Sequence, residues 1–283
     1  MSFDFSKVVT TGAAGMVGAY IDFGIRTDHH TLDILDSSAV MRFMREHRPS
    51  AIIHLAAATD TARCEGDPAY AYSLNGVGTL NVALAAAAVG ATFVYVSTSR
   101  VFSGDKSGPY TESDEPDGTT VYGKSKRLGE VAASLVSPEH IIVRTSWVFG
   151  GGPGRDTKFY GTVLKKLLNK EEVVALCDVE GSPTYGKDLV GAIKDILSGG
   201  ERGVFHISNG APATRAAIAE LMADYVHCTV PIRAVQRDFF ESGHLLPRNE
   251  AVSSKRVHLR PWQEALREYL EAEWKEYQNN QAT

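Results

Sequence analysis

The 283-residue sequence predicts an α/β fold: a doubly wound parallel sheet with a smaller, interleaved C-terminal lobe. Three observations carry that prediction. Short apolar runs alternate with helical patterns from the start, as buried parallel strands and their covering helices do. A glycine turn, Gly12 to Gly18, directly follows the first apolar run. Beyond the glycine-rich stretch Gly150–Gly154 the elements become shorter, with no flexible linker, low-complexity segment or repeat. The expected partition is 1–150 for the first domain and 151–283 for the second lobe, with segments of the latter returning to the first sheet.

Each element has its own signal. Lys7–Thr11 reads as a buried strand, and the glycine turn after it opens a short helix near Gly15. Only about 14 residues lie between Gly18 and Asp33, so the next helix and strand must be abbreviated. Asp36-Ser37-Ser38 can cap a helix in which Val40, Phe43, Met44 and His47 recur at helical spacing. Pro49 breaks it, and Ala51–Leu55 is the following strand. Tyr70–Val89 is an alanine-rich helix. Thr92–Val96 is a strand that delivers Ser97 and Thr98 at its carboxyl end. Ser103–Thr120 holds the residues of turns. A helix runs from Tyr122 to about Val136, then a strand over His140–Arg144. The second lobe shows helices at Phe159–Asn169, from Lys187, and at Thr214–His227. Its strands are Val173–Leu176 and Gly203–Ile207, and a charged amphipathic helix spans Trp262–Tyr277.

Composition removes several function classes. Hydrophobic residues make up 43% and charged residues 22%, ordinary for a globular chain. A net charge of -5 without a basic stripe speaks against nucleic acid. Cys64, Cys177 and Cys228 lack metal or redox spacing and read as reduced, mostly buried thiols. Met1–Lys7 lacks a signal pattern and the apolar runs fall short of a membrane span, so no membrane association and a cytoplasmic location are expected. No metal site is expected. His29 and His30 are adjacent, while His54 and His206 lie inside apolar strands, the pattern of surface and core histidines. No nucleophile elbow or His-Glu-x-x-His occurs.

Chemistry concentrates in three segments. In the turn, Gly12, Gly15 and Gly18 permit tight turning and close approach of backbone to a pyrophosphate, with Met16 and Val17 beside them. That is the dinucleotide edge of a Rossmann-like domain. Small residues at Leu55, Ala56, Ala57 and Thr59, at a strand's carboxyl end, leave room for a flat cofactor. No acidic residue stands at a second-strand end to grip a ribose. Arg26 is available for a 2′-phosphate instead, so NAD(P) is expected with a lean to NADP(H). Tyr122 and Lys126 lie four apart on one helix face, where an ammonium favours the tyrosinate. Thr98 can add a hydroxyl to the same substrate oxygen. Tyrosine then donates a proton to a carbonyl while a dinucleotide delivers hydride.

With these segments placed, the chain resembles the extended short-chain dehydrogenases/reductases, and more narrowly the dTDP-4-dehydrorhamnose reductase family. The landmarks are Thr11-Gly12-x-x-Gly15-x-x-Gly18, Leu32-Asp33-Ile34, Leu55–Thr59, Asn75 to Asn81, Ser97-Thr98, Tyr122-x-x-x-Lys126, Arg144–Val148 and Gly181–Thr184. The resemblance implies Tyr122 as proton donor, Lys126 as its modulator and a ribose ligand, and Thr98 as the carbonyl-polarising hydroxyl. Asp33 and Ile34 would meet the adenine, and Asn75 the cofactor side. Ser99, Trp147, Arg248 and Asn249 would face a nucleotide-sugar, reduced at its C4 ketone. Ser99-Arg100 stands where that family commonly carries Asp-Tyr, which also counts against a dehydratase. A nucleotide-sugar epimerase and a non-catalytic NADP-binding regulatory subunit are the rival expectations. The terminal helix can serve a homodimer or simply cover the sheet.

Overall fold

In the computed structural model, residues 3–240 and 246–281 are described, and their first half follows the alternating pattern. β1 (Val8–Thr11) leads through a single 3-10 turn, Val17–Tyr20, to a two-residue β2 (Ile25–Arg26). α1 (Ser37–His47) starts on Asp36, whose carboxylate accepts from the Ala39 amide at 2.9 Å. β3 (Ala51–His54) follows, then α2 (Thr61–Gly66). The helix after it is continuous over Pro68–Val89 but changes pitch: α3 (Pro68–Tyr72), a π segment (Ser73–Gly78) and α4 (Thr79–Val89). β4 (Thr92–Thr98), α5 (Val121–Val136) and β5 (His140–Thr145) complete this half.

The rest begins with β6 (Val148–Phe149), α6 (Gly152–Arg155) and α7 (Phe159–Leu168). Strands β7 (Val173–Leu176), β8 (Glu180–Gly181) and β9 (Thr184–Tyr185) precede α8 (Gly186–Gly199) and β10 (Gly203–Ile207). β11 (Ala213–Thr214), α9 (Arg215–Tyr225), β12 (Ile232–Val235) and β13 (Asn249–Glu250) follow. α10 (Trp262–Glu273) and α11 (Lys275–Gln281) end the described chain.

The main sheet has six strands, all parallel, in the order β2-β1-β3-β4-β5-β10. Val9, Ile52 and Phe93 lie in one cross-strand row and face α1, α4 and α5. Their neighbours Val8, Ile53 and Val94 face the other way, onto Leu189 and Ile193 of α8. Burial on both faces is why these strands read as unbroken apolar runs. β10 and α8 come from the second half of the chain, yet they close the first sheet. A separate core of Phe149, Tyr160, Leu164, Met222, Tyr269 and Trp274 lies among α7, α9 and α10.

Three expectations need correction. The short helix near Gly15 is only the 3-10 turn Val17–Tyr20, because Ala19 to Gly24 leaves no room for a helix and a turn before β2. The helix Pro68–Val89 is 22 residues long, and an 18-residue window within it has a mean hydropathy of 1.2, so one apolar run does reach membrane-span length. It packs against the sheet, with Val82, Ala83, Ala85 and Ala86 buried. Finally, only Cys64 is buried; Cys177 is exposed and Cys228 half-buried.

Beneath the sheet's carboxyl edge sits a buried ion pair. Arg144 of β5 donates from Nε and NH2 to the two carboxylate oxygens of Glu130 on α5, each at 2.9 Å. Ser97 of β4 donates to the same carboxylate at 2.6 Å, and Arg127 at 2.9 Å. Burial alone would push the Glu130 carboxyl up, but Arg144 and the hydroxyl hold it below the usual carboxylate range. Removing Glu130 strands the Arg144 guanidinium in the core, and removing Arg144 leaves the buried carboxylate with only Ser97 and the half-buried Arg127. Arg144→Met should therefore cost about 3–5 kcal/mol in chemical denaturation. The double variant Arg144→Met, Glu130→Met should cost clearly less than the two single losses added together.

Candidate active site

The carboxyl ends of β1 and β3 lie side by side where the strand order reverses, the place at which open α/β sheets bind ligands. Gly12 is left-handed (φ 71°), and a Cβ there would come within 2.5 Å of the Ala56 backbone nitrogen. A side chain would push the glycine turn off β3. Ala14 and Gly15 expose their backbone, Met16 and Val17 are half-buried, and Gly18 is buried. Arg26 follows on β2, exposed, its guanidinium held by the carbonyls of Gly18 at 3.3 Å and Ala13 at 3.5 Å. Asp33 is exposed beside buried Ile34, which rests on Gly78. Half-buried Leu55, Ala56 and Ala57 lead to exposed Thr59. Bare glycine backbone, small side chains and one anchored guanidinium suit a dinucleotide with an extra phosphate. The phosphates would meet turn amides, not the N-terminus of a long helix.

β4 and α5 bring the three catalytic candidates together. Thr98 ends β4, and its hydroxyl accepts from the Arg100 amide at 3.2 Å. Tyr122 and Lys126 are one turn apart near the start of α5. Burial raises the Tyr122 phenol, while the Thr98 hydroxyl and the Arg100 charge pull it down. The Lys126 ammonium donates to the Val96 carbonyl at 2.8 Å and lies 4.2 Å from the Tyr95 ring centre. Burial lowers it to about 7, against a partial upward pull from Glu130.

Across the cleft, the segments Arg144–Val148 and Gly181–Thr184 build one unit. β6 pairs with β9, and the Thr184 hydroxyl donates to the Ser146 carbonyl at 2.7 Å. Trp147, between them, is held in the left-handed region (φ 40°), a costly position for a bulky residue. Its indole lies on Gly181, where a Cβ would be 2.2 Å from the ring. The Arg215 guanidinium sits 4.5 Å from the same ring and 4.6 Å from that of Phe159. Trp147 is thus clamped between Gly181 of β8 and Arg215 of α9.

A family model described as the RmlD substrate binding domain matches residues 6–274. The chain belongs to the RmlD family. It resembles the spore coat polysaccharide biosynthesis protein SpsK of Bacillus subtilis, 33% identical over 94% of this chain and 97% of that protein. The dTDP-4-dehydrorhamnose reductase of Mycolicibacterium smegmatis is 34% identical over 94% of this chain and 85% of its own length. A crystal structure of the Bacillus anthracis dTDP-4-dehydrorhamnose reductase in complex with NADP superposes with a TM-score of 0.89. That pair is 30% identical, over 94% of this chain and 98% of the other. Membership places this chain among the NAD(P)-dependent oxidoreductases of the extended short-chain dehydrogenase/reductase superfamily.

Within this RmlD-family site, some expected ligand residues turn out to be braces. Asn75, in the π segment, is fully buried: it accepts from the Ala58 amide (2.8 Å) and donates to the Ala58 carbonyl (3.1 Å) and Ser125 (2.9 Å). Its polar atoms are occupied, so it ties the end of β3 to α5 and supports the cofactor side of the sheet edge from within. Asn249 is likewise turned inward, donating to the carbonyls of Lys106 (2.9 Å) and Gly108 (2.6 Å) and accepting from Ala251 (2.8 Å). It pins the 103–120 loop. Ser99 is buried beside Thr98 with its hydroxyl unpaired. Arg248 is exposed and lines a cavity of about 260 Å³ with Glu65, Thr120 and Arg237. His54 is a core histidine between Thr11 (2.6 Å) and Thr79 (3.2 Å), its imidazole driven down to about 3 by burial and by Lys126.

Sequence reasoning missed Glu65 as a cap. Its carboxylate accepts from the amides of Val121 (2.8 Å) and Tyr122 (3.4 Å), while Thr120 accepts from Gly123 (3.0 Å). Two side chains thus satisfy the first turn of α5. The signal was out of reach, because the capping carboxylate lies 56 residues away.

Two outcomes follow from this geometry. Gly181→Ala should lift Trp147 off its seat, raising KM for the nucleotide-sugar more than it lowers kcat; steady-state kinetics read the split. Lys126 titrates near 7 when folded but near 10.5 when unfolded, so between those values only the unfolded chain holds the proton. Its destabilising effect is complete below about pH 7 and fades as pH rises toward 10.5. Lys126→Met should therefore raise the Tm of the cofactor-free protein most at or below neutral pH, with the gain shrinking by pH 10.

Proposed function

We propose that this protein reduces the C4 ketone of a nucleotide-linked 4-keto-6-deoxy sugar, as the enzymes named dTDP-4-dehydrorhamnose reductase do. The observation that carries the reading is the convergence of Thr98, Tyr122 and Lys126 at the carboxyl edge of β4 and the first turns of α5. A bound nicotinamide dinucleotide supplies the hydride. Tyr122 donates the proton to the carbonyl oxygen, which requires a neutral phenol at working pH, and burial of the ring favours that form. Thr98 shares the oxygen and orients it. Lys126, fixed on the Val96 carbonyl, is placed for the ribose and for the phenolate that forms once the proton has left. Trp147, clamped by Gly181 and Arg215, offers a flat face to the sugar, and Arg248 a charge at the cleft rim.

Arg26 supports the preference for NADP(H), because its guanidinium is already anchored at the end of β2. The assay is nicotinamide absorbance with purified protein, NADPH or NADH, and dTDP-4-keto-6-deoxyglucose with and without a 3,5-epimerase. Oxidation of NADPH that requires the sugar is expected. Tyr122→Phe should lower turnover by roughly 10²–10⁴-fold with dinucleotide affinity kept. Near-normal turnover in that variant would sink the reading. Arg26→Ala should weaken NADPH by about 10–100-fold, the worth of a charge-assisted hydrogen bond or two, and leave NADH almost unchanged.

A further inference from the structure

The glycine turn between β1 and β2 is not carried by an α-helix. Where such a helix follows, its own hydrogen-bond ladder fixes the amides that meet a pyrophosphate. Here the 3-10 turn Val17–Tyr20 supplies the Ala19 amide on the Met16 carbonyl at 3.3 Å and the Ile21 amide on the Gly18 carbonyl at 3.2 Å. Arg26 of β2 grips the same Gly18 carbonyl. The remaining anchor comes from outside the turn, through Tyr20.

The Tyr20 hydroxyl donates to Oε1 of Glu273 on α10 at 2.7 Å and accepts from the Gly151 amide at 2.6 Å. Tyr185 of β9 donates to the same Oε1 at 2.6 Å. Its ring meets that of Tyr20 edge-on, with centroids 5.5 Å apart. Burial, then the Glu273 carboxyl, pushes both phenols up, so each stays a donor at neutral pH. The second lobe leaves room for the Tyr20 side chain. A Cβ on Gly150 would lie 2.4 Å from its hydroxyl, and one on Gly186 would lie 2.6 Å from its ring. Three late parts of the chain, the glycine stretch, the β9–α8 junction and α10, thus converge on one side chain two residues after Gly18.

We propose that Tyr20 is a positioning residue for the dinucleotide: through its hydroxyl, Glu273 and the Gly151 amide hold the turn Gly12–Gly18 in the attitude that receives the pyrophosphate. The proposal rests on the reading of that turn as the dinucleotide edge. It makes α10 and the glycine stretch, both far along the chain, determinants of dinucleotide affinity. Tyr185 is the internal control. It shares the Glu273 oxygen, but it stands on β9, outside the turn.

The test is NADPH and NADH titration of the substrate-free protein, read as nicotinamide fluorescence, with the Tm of each variant measured alongside. Tyr20→Phe keeps the ring and removes both hydrogen bonds. It should raise the Kd for NADPH about tenfold, the scale of one or two net hydrogen bonds. Tyr185→Phe removes the other hydroxyl from the same oxygen and should leave the Kd near the parent's, whatever it does to the Tm. Glu273→Gln keeps an oxygen for Tyr20 and should stay close to the parent, while Glu273→Leu should follow Tyr20→Phe. Equal Kd values in Tyr20→Phe and Tyr185→Phe, both unmoved or both raised, overturn the proposal. So does a glutamine variant that binds no better than the leucine one. If Tyr20→Phe does not fold, a Glu273→Leu Kd at the parent's value is sufficient to reject it. A parent that binds neither dinucleotide overturns the reading of the turn itself, whereas a parent that binds, with unmoved variants, overturns only the positioning role.

Discussion

The bidentate contact between Arg144 and Glu130 fixes the placement of the helix that carries the candidate catalytic residues. It joins β5 to α5 below the carboxyl edge of the sheet, and Ser97 of β4 closes the same contact. Lys126 lies one turn before Glu130 and Tyr122 one turn before that, so the contact sets both height and rotation of the helix that carries them. Two ions buried together add little net stability compared with apolar side chains of like volume. What they add is direction: a guanidinium and a carboxylate meet in one geometry, where leucines would tolerate several. Asn75 and Glu65 extend the same logic, one gripping α5 from the side and the other capping its start.

Much of this was legible in the residues. Strands buried on both faces have no alternative but to look apolar throughout, and the extents of β1, β3, β4 and β5 came out within a residue or two. Helices with a cap, such as α1 behind Asp36, declared their starts. The placement of the candidate residues was legible where one segment sets it: Thr98 at a strand end, Tyr122 and Lys126 a helical turn apart. It was not legible where a function is shared across the chain. Glu65 and Tyr20 meet their partners 56 and 253 residues away, and neither distance leaves a local trace.

Two errors have the same physical root. Asn75 and Asn249 were assigned to the cofactor side and the sugar by the family resemblance, which carries no information on where each side chain turns. Both are instead consumed by backbone groups of loops that have no secondary structure to satisfy them, as buried polar groups must be. The π segment that turns Asn75 toward Ala58 has no clear signature in an alanine-rich helix. The abbreviated link between β1 and β2 shows the reverse case. Chain length alone limited it, and Tyr20 at its end is held by Glu273 (2.7 Å) and by the Gly151 amide (2.6 Å) from the second half of the chain.

The position of β10 has a consequence for how the chain comes into being. Emerging from a ribosome, the first 150 residues hold five of the six sheet strands, yet β5 then has an open edge and α8 has not arrived to cover Val8, Ile53 and Val94. Until Ile207 has been made, that half exposes apolar surface and an unpaired ladder, the features that draw chaperones or other nascent chains. A fragment cut at the glycine stretch would carry the same defect permanently. The dinucleotide half is a unit of chemistry, but it is not a unit of synthesis.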